Sequence, residues 1–280
     1  MLISGTSAML LAAFLFSLMN VCVKYISHLP VLEIVFFRSL ISLILTLFYL
    51  RLKKIRIQGS NYTWLVVRGL AGCGSLLLHF ITLQSVYLAS AVTLQFLAPI
   101  FSALLAVVLL KEKLQKMDLL FFALSFGGVV VLSGFDASMD WQTALIGVTS
   151  SLLAGLAYNS IRKIKDSEHP LIVVLFFPLV ALPITGVYCF FHFVAPSFTD
   201  WLFLLAIGLV AQAAQYFTTL AYQKEKVAHV AILRYTGILY ALFLGFFLFS
   251  EKFNYQSYLG MALVIAGVVG SSLYKKYYEK

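Results

Sequence analysis

Residues 96–114 read FLAPIFSALLAVVLLKEKL, an apolar run with Pro99 near its start and Lys111-Glu112-Lys113 at its end. A proline inside a helix removes a backbone donor and tends to break it. A charged cluster closing an apolar run marks a bilayer–water boundary. The surrounding chain has the same character: 62% of its 280 residues are hydrophobic and only 11% charged, with a mean hydropathy of +0.97. About a quarter of a soluble domain is charged, so the natural solvent for this chain is a bilayer.

Apolar runs of about 17–22 residues, enough to cross about 30 Å of hydrocarbon, recur ten times. They lie near 4–23, 31–50, 64–84, 90–110, 118–134, 143–161, 171–192, 200–221, 229–249 and 256–274. The start, MLISGTSAMLL, lacks a basic leader region and reads as the first span. The net charge of +9 is no nucleic-acid signal, because the basic residues sit in short gaps between spans. With the N-terminus inside, the cytoplasmic gaps and tail hold 15 Lys/Arg, and the opposite gaps hold only Lys24 and Lys252. The positive-inside rule then predicts ten spans with both termini cytoplasmic; a bacterial inner membrane is the expected location.

Sliding the chain by 139 residues lays the third to fifth spans over the eighth to tenth without a gap. Gly69 falls on Gly208, Ala89 on Ala228, Glu112-Lys113 on Glu251-Lys252, and Gly128 on Gly267. Between 119–134 and 258–273, seven of sixteen positions are identical. The first and sixth spans align at a slightly larger offset, with AAFLFSLMN over AGLAYNSIR. The expected fold class is therefore an all-α polytopic membrane protein, ten transmembrane helices in two five-helix repeats, residues 1–139 and 140–280. An odd number of spans per repeat forces opposite insertion. Inverted repeats are a device of secondary transporters, with substrate near the midplane.

The segment ASAVTLQFLAPIFSALLAVVLLKEKL (89–114), followed by a glycine-rich span, resembles the drug/metabolite transporter superfamily, EamA branch. So do PVLEIVFFRSL (30–40) and the ten-span, two-half layout. The resemblance covers the whole chain. It implies a carrier working by alternating access, with cytoplasmic termini, moving amino acids, nucleotide-like metabolites or drugs. The second half departs from the pattern, with Ile238 at the position matching Pro99.

Polar side chains at bilayer depth are functional candidates, because an unpaired one is expensive there. Helical spacing groups Ser17, Asn20 and Lys24 in the first span, and Ser75, His79 and Thr82 in the third. It groups Gln95, Pro99 and Ser102 in the fourth, and Ser151, Gly155, Tyr158, Asn159 and Arg162 in the sixth. The eighth span carries a stripe of Gln212, Gln215, Tyr216 and Thr219, and the ninth carries Arg234 and Tyr235. Ser, Thr and Asn often only hydrogen-bond neighbouring helices, whereas intramembrane arginines normally face a cavity or a partner. The candidate substrate-binding set is Asn20, Lys24, Arg38, His79, Gln95, Tyr158, Asn159, Gln212, Gln215, Tyr216, Arg234 and Tyr235. Arg38 sits roughly 10 Å along its helix at 1.5 Å per residue and needs an anion, a carbonyl or water. Glu33 is one possible partner. Arg68 reads as an interfacial anchor.

No Asp or Glu lies in the middle of a span; Glu33, Glu112 and Glu251 sit near ends. That argues against a proton carboxylate at depth and leaves exchange, facilitated flux or a protonatable His79. Internal arginines favour a substrate bearing a carboxylate or phosphate. Pro99 and Gly237 are candidate helix breaks beside the substrate, where irregular backbone is tolerated if it lines a cavity. The rows Ala123/Gly127 and Ala262/Ala266/Gly270 read as packing struts and a possible homodimer surface. The sequence carries no expected metal site or cofactor: Cys22, Cys73 and Cys189 lack a CxxC or histidine partner. HExxH, GxSG and paired mid-membrane acids are missing too, so no catalytic set assembles. A membrane-embedded enzyme acting on lipid-linked substrates is the rival reading.

Overall fold

The computed structural model describes residues 3–85, 94–133, 141–249 and 255–278. Ala89, Glu251 and Lys252, and the side chain of Lys24, lie outside the described residues. Every regular element described is a helix: α1 (Gly5–Tyr25), α2 (Val31–Leu52), α3 (Tyr62–Ser85), α4 (Ala98–Leu109), α5 (Lys116–Ser133), α6 (Trp141–Lys163), α7 (Pro170–His192), α8 (Phe198–Lys224), α9 (Val227–Leu233), α10 (Thr236–Phe249) and α11 (Tyr255–Tyr278). They follow the ten apolar runs in order, and the ninth run is split into α9 and α10. Among the described residues, five stretches are long and apolar enough to cross a membrane by length and hydropathy alone: Gly5–Val23, α2, α6, α7 and α8.

The chain folds as two compact units, Met1–Cys73 with Ser160–Lys224 and Gly74–Asn159 with Glu225–Lys280. Neither unit is a sequence half; each draws helices from both. In the first, α1 packs on α8, and α2 packs on both α7 and α8. Its core joins Met19, Ile26, Leu29 and Ile34 to Leu204, Ile207 and Ala211. Phe37 meets Trp201 edge-on at 4.8 Å, and Tyr25 stacks on Phe203 at 5.2 Å. In the second unit, α4 packs on α9 and α5 on α11.

Close packing in lipid depends on small residues, since burial from water supplies no drive between helices. Here the glycines work in reciprocal pairs. A Cβ on Gly128 would lie 2.7 Å from the Gly260 carbonyl oxygen, and one on Gly267 would lie 2.8 Å from that of Phe121. Residues 121 and 260, like 128 and 267, are 139 apart. In the other unit, a Cβ on Gly69 would meet Val180 and one on Gly208 would meet Ile41. Residues 41 and 180, and 69 and 208, carry the same offset. The sequence register thus recurs as a register of contacts. One expectation needs correcting: Gly127 has nothing within 4 Å, so the α5 packing position is Gly128, one residue further on.

Loops are tied by carboxylates. Glu168 Oε1 accepts from the backbone N–H groups of Ser60 (2.5 Å) and Asn61 (2.6 Å), satisfying donors at the start of α3. Gln223 Nε2 donates to the Glu168 carbonyl at 3.0 Å, and Arg162 donates to the Gln223 carbonyl at 2.9 Å. After α4 the chain turns through Lys111 at φ 56°. That turn aims Glu112, whose Oε2 accepts from Val227 N–H at 2.9 Å and caps α9. His169 caps α7, its Nδ1 accepting from Leu171 N–H at 3.2 Å.

Partial desolvation where the ring packs, and then the nearby Lys53 charge, hold the largely exposed His169 imidazole below its usual range. The unfolded chain therefore binds this proton more readily, and stability is lost as pH falls through the unfolded and then the folded value. Melting of the wild type should fall on acidification below about pH 6.5, the ordinary histidine value. His169→Asn, which keeps a cap but cannot titrate, should flatten that part of the profile; an unchanged slope in thermal melts at stepped pH contradicts the assignment.

Candidate functional site

The helical stretch that reaches Gln95 is interrupted just ahead of Pro99. The chain makes a turn at Phe96-Leu97 and starts α4 at Ala98, so Pro99 occupies the second helical position. There the missing N–H costs nothing, because first-turn donors have no helical partner anyway. The ninth run turns likewise at Arg234-Tyr235, and Gly237 falls in the first turn of α10. The irregular residues thus precede Pro99 and Gly237 rather than coincide with them.

The second unit holds half of the twelve binding candidates, His79, Gln95, Tyr158, Asn159, Arg234 and Tyr235, along with these two turns. Freed carbonyls are met by neighbouring side chains: Ser151 Oγ donates to the Leu94 carbonyl at 2.6 Å, and Tyr235 Oη to the Phe96 carbonyl at 3.1 Å. The Tyr235 and Phe96 rings stack at 5.6 Å; these residues are also 139 apart. The Arg234 guanidinium lies 4.3 Å from the centre of the Tyr158 ring, a cation–π geometry. Asn159, fully buried, donates from Nδ2 to the carbonyls of Ser102 (2.8 Å) and Gly155 (2.9 Å). Both its donors are thereby used, which fixes the amide. Gly155 permits this, since a Cβ there would lie 2.9 Å from the Ser102 nitrogen. Ser150 Oγ donates to the Ser75 carbonyl at 2.7 Å and reaches Gln95 Oε1 at 3.4 Å. His79 is half-buried on the same unit's part of α3.

The first unit holds the remaining candidates in differing surroundings. Ser42 Oγ donates to Gln212 Oε1, while Gln212 Nε2 donates to Thr46 Oγ1 at 2.7 Å. Buried Gln212 therefore bonds α8 to α2, the structural use of polar residues between membrane helices. Gln215 and Tyr216 are half-buried and Asn20 is exposed, whereas Ser17, grouped with Asn20, is buried and donates to the Ala13 carbonyl at 3.0 Å. The Arg38 guanidinium lies 5.1 Å from the Phe177 ring centre, and that of Arg68 lies 6.0 Å from the same ring. Arg68 is 2% exposed, so it is a buried partner of Phe177, not an interfacial anchor. Gly72 leaves the space that its guanidinium occupies.

Sequence reading missed Phe177, Phe96 and Glu168. The first two are ordinary phenylalanines in a chain with 25 of them, and no local signal sets them apart. Ser197-x-x-Asp200 was legible: Asp200 Oδ2 accepts from Ser197 N–H at 2.9 Å, as a capping box predicts, and also meets His28 at 3.2 Å.

The model of the EamA-like transporter family matches this chain twice, over residues 3–134 and 141–273. The chain belongs to the EamA-like transporter family. It is an integral membrane transporter, not an enzyme. Among its relatives, the pseudopaline exporter CntI of Pseudomonas aeruginosa is 31% identical over 98% of this chain and 97% of its own length. A transporter of Helicobacter pylori is 28% identical over 93% of this chain and 92% of its own. Solute carrier family 35 member G1 of Homo sapiens is 26% identical, covering 96% of this chain and 78% of that protein. A solved crystal structure shares the fold at a TM-score of 0.88 and 16% identity, over 99% of both chains.

Proposed function

We propose that this EamA transporter exports a small polar metabolite bearing a carboxylate or phosphate, by alternating access. Its setting is a bacterial inner membrane, with both termini cytoplasmic. The observation that carries the reading is Arg234. It stands at the turn between α9 and α10, half-buried, against the Tyr158 ring. An arginine kept at a break in a membrane helix supplies a fork of donors suited to an oxyanion, and tyrosine offers an apolar wall beside it. In the first unit, half-buried Gln215 and Tyr216 are candidates of their own, while Gln212 and Asn159 hold helices in place. Residues 1–139 and 140–280 are the repeats whose exchange of roles would alternate access, and the contacts offset by 139 residues support that symmetry. The CntI relative supports export and makes pseudopaline the first probe.

Proteoliposomes preloaded with unlabelled pseudopaline should take up the labelled compound by saturable counterflow. A non-saturating, ohmic conductance would overturn the carrier reading. Failure of pseudopaline alone, with counterflow of another carboxylate or phosphate compound, would change the substrate and keep the mechanism.

A further inference from the structure

Glu33 stands out once the packing is known. It lies in the first turn of α2, at the outer end on the topology read from charge, yet it is 0% exposed. One carboxyl oxygen, Oε2, accepts from Val194 N–H at 3.1 Å. The other, Oε1, is buried and has no hydrogen-bond partner. Among the described residues no cation pairs with it. The elements packed around it are α7, α8 and the turn before α2, and their titratable groups are otherwise engaged. Asp200 and His28 face each other at 3.2 Å, Tyr188 and His192 stack at 4.8 Å, and Arg38 lies over Phe177. Cys189 of α7 is buried, and a thiol is neutral in its ordinary form.

A buried carboxylate without a counter-ion is expensive, and a purely structural tie to Val194 would need only a neutral acceptor. What a carboxyl adds is a second form. As the acid, its proton occupies Oε1, the oxygen that has no partner. As the anion, its charge is shared by both oxygens, with Val194 N–H on Oε2 and the N-terminal end of α2 offsetting it. The site is built to accept either form, and buried acids of this kind in transporters carry protons. We propose that Glu33 is a proton-binding site, and that a proton taken from the outer phase and released inside is the ion exchanged for the exported substrate. The idea rests on the export reading above. The step balances simply: one proton enters at Glu33 and leaves to inner water, as one substrate molecule moves out.

Glu33→Gln keeps an acceptor for Val194 N–H and cannot titrate. Two measurements on the full-length protein test it. In infrared spectra at neutral pH, the wild type should show the carbonyl stretch of a protonated carboxylic acid, deepening on acidification, and the variant should lack that component. In acid-loaded proteoliposomes, the wild type should concentrate external pseudopaline up to about tenfold per unit of pH gradient, the limit for one-for-one exchange. The variant should retain counterflow and lose this accumulation. Identical infrared bands in the two proteins, or undiminished accumulation by the variant, would overturn the proposal. Absence of counterflow in the wild type would instead sink the pseudopaline reading, and the infrared comparison would still decide Glu33.

Discussion

Replacing Arg234 by alanine should cut counterflow by about 30- to 700-fold with the melting temperature nearly unchanged. Truncating one partner of a buried, hydrogen-bonded charge pair costs about 2–5 kcal/mol; for half-buried Arg234 the lower part of that range, about 2–4 kcal/mol, applies, and each 1.4 kcal/mol is about tenfold. The guanidinium rests on Tyr158 at 4.3 Å, so its loss takes away a cation–π contact and a donor fork but leaves the α9–α10 turn. That turn is held by Tyr235, through its stack on Phe96 and its bond to the Phe96 carbonyl. Arg234→Lys tests the chemistry. It keeps the charge and loses the planar fork, so it should recover only part of the transport. Tyr158→Phe preserves the ring face and should transport nearly as well as the wild type. Flux through Arg234→Ala within twofold of normal would remove Arg234 from the site.

The second large effect concerns the fold. Gly267→Ala should destabilise the protein by about 1–3 kcal/mol, the usual cost of overpacking. The added carbon would lie 2.8 Å from the Phe121 carbonyl oxygen and 3.0 Å from the Ser125 nitrogen. Both are backbone atoms, so α5 and α11 must separate. Gly128→Ala, the reciprocal position, should behave alike. Gly127→Ala meets nothing within 4 Å and should be neutral or slightly stabilising, since alanine is the better helix former. Melting curves in one detergent compare the three directly. Equal behaviour of positions 127 and 128 would show that the reciprocal packing does not govern stability.

The two variants together mark how far the residues alone could be read. Span number follows from the length of apolar runs and the lopsided placement of lysine and arginine, both consequences of bilayer physics that need no coordinates. The offset of 139 was legible too, because scarce glycines and the Glu112-Lys113 pair repeat at it. Arg234 drew notice because an arginine at that depth is costly without a purpose. The side-chain partners were not legible. Gln212 and Gln215 lie on one helix three residues apart, yet Gln212 is locked to Ser42 and Thr46 while Gln215 is half-buried. Helical spacing says which residues share a face, not which neighbour that face meets.

Pro99 makes the same distinction within one segment. Its sequence says only that a helix cannot run through it undisturbed. Whether the disturbance is a kink or a fresh start depends on what receives the freed carbonyls, and those receivers, Ser151 and Tyr235, arrive from distant parts of the chain. Glu33 is sharper still. Read along the chain it is an end residue near water; in the fold it is sealed, with one oxygen on Val194 and the other bare. The amino-acid sequence determined the solvent, the number of spans and the repeat, because these depend on composition and periodicity. The tertiary structure decided which polar groups are spent on holding helices and which stay available, because that depends on partners brought together by packing.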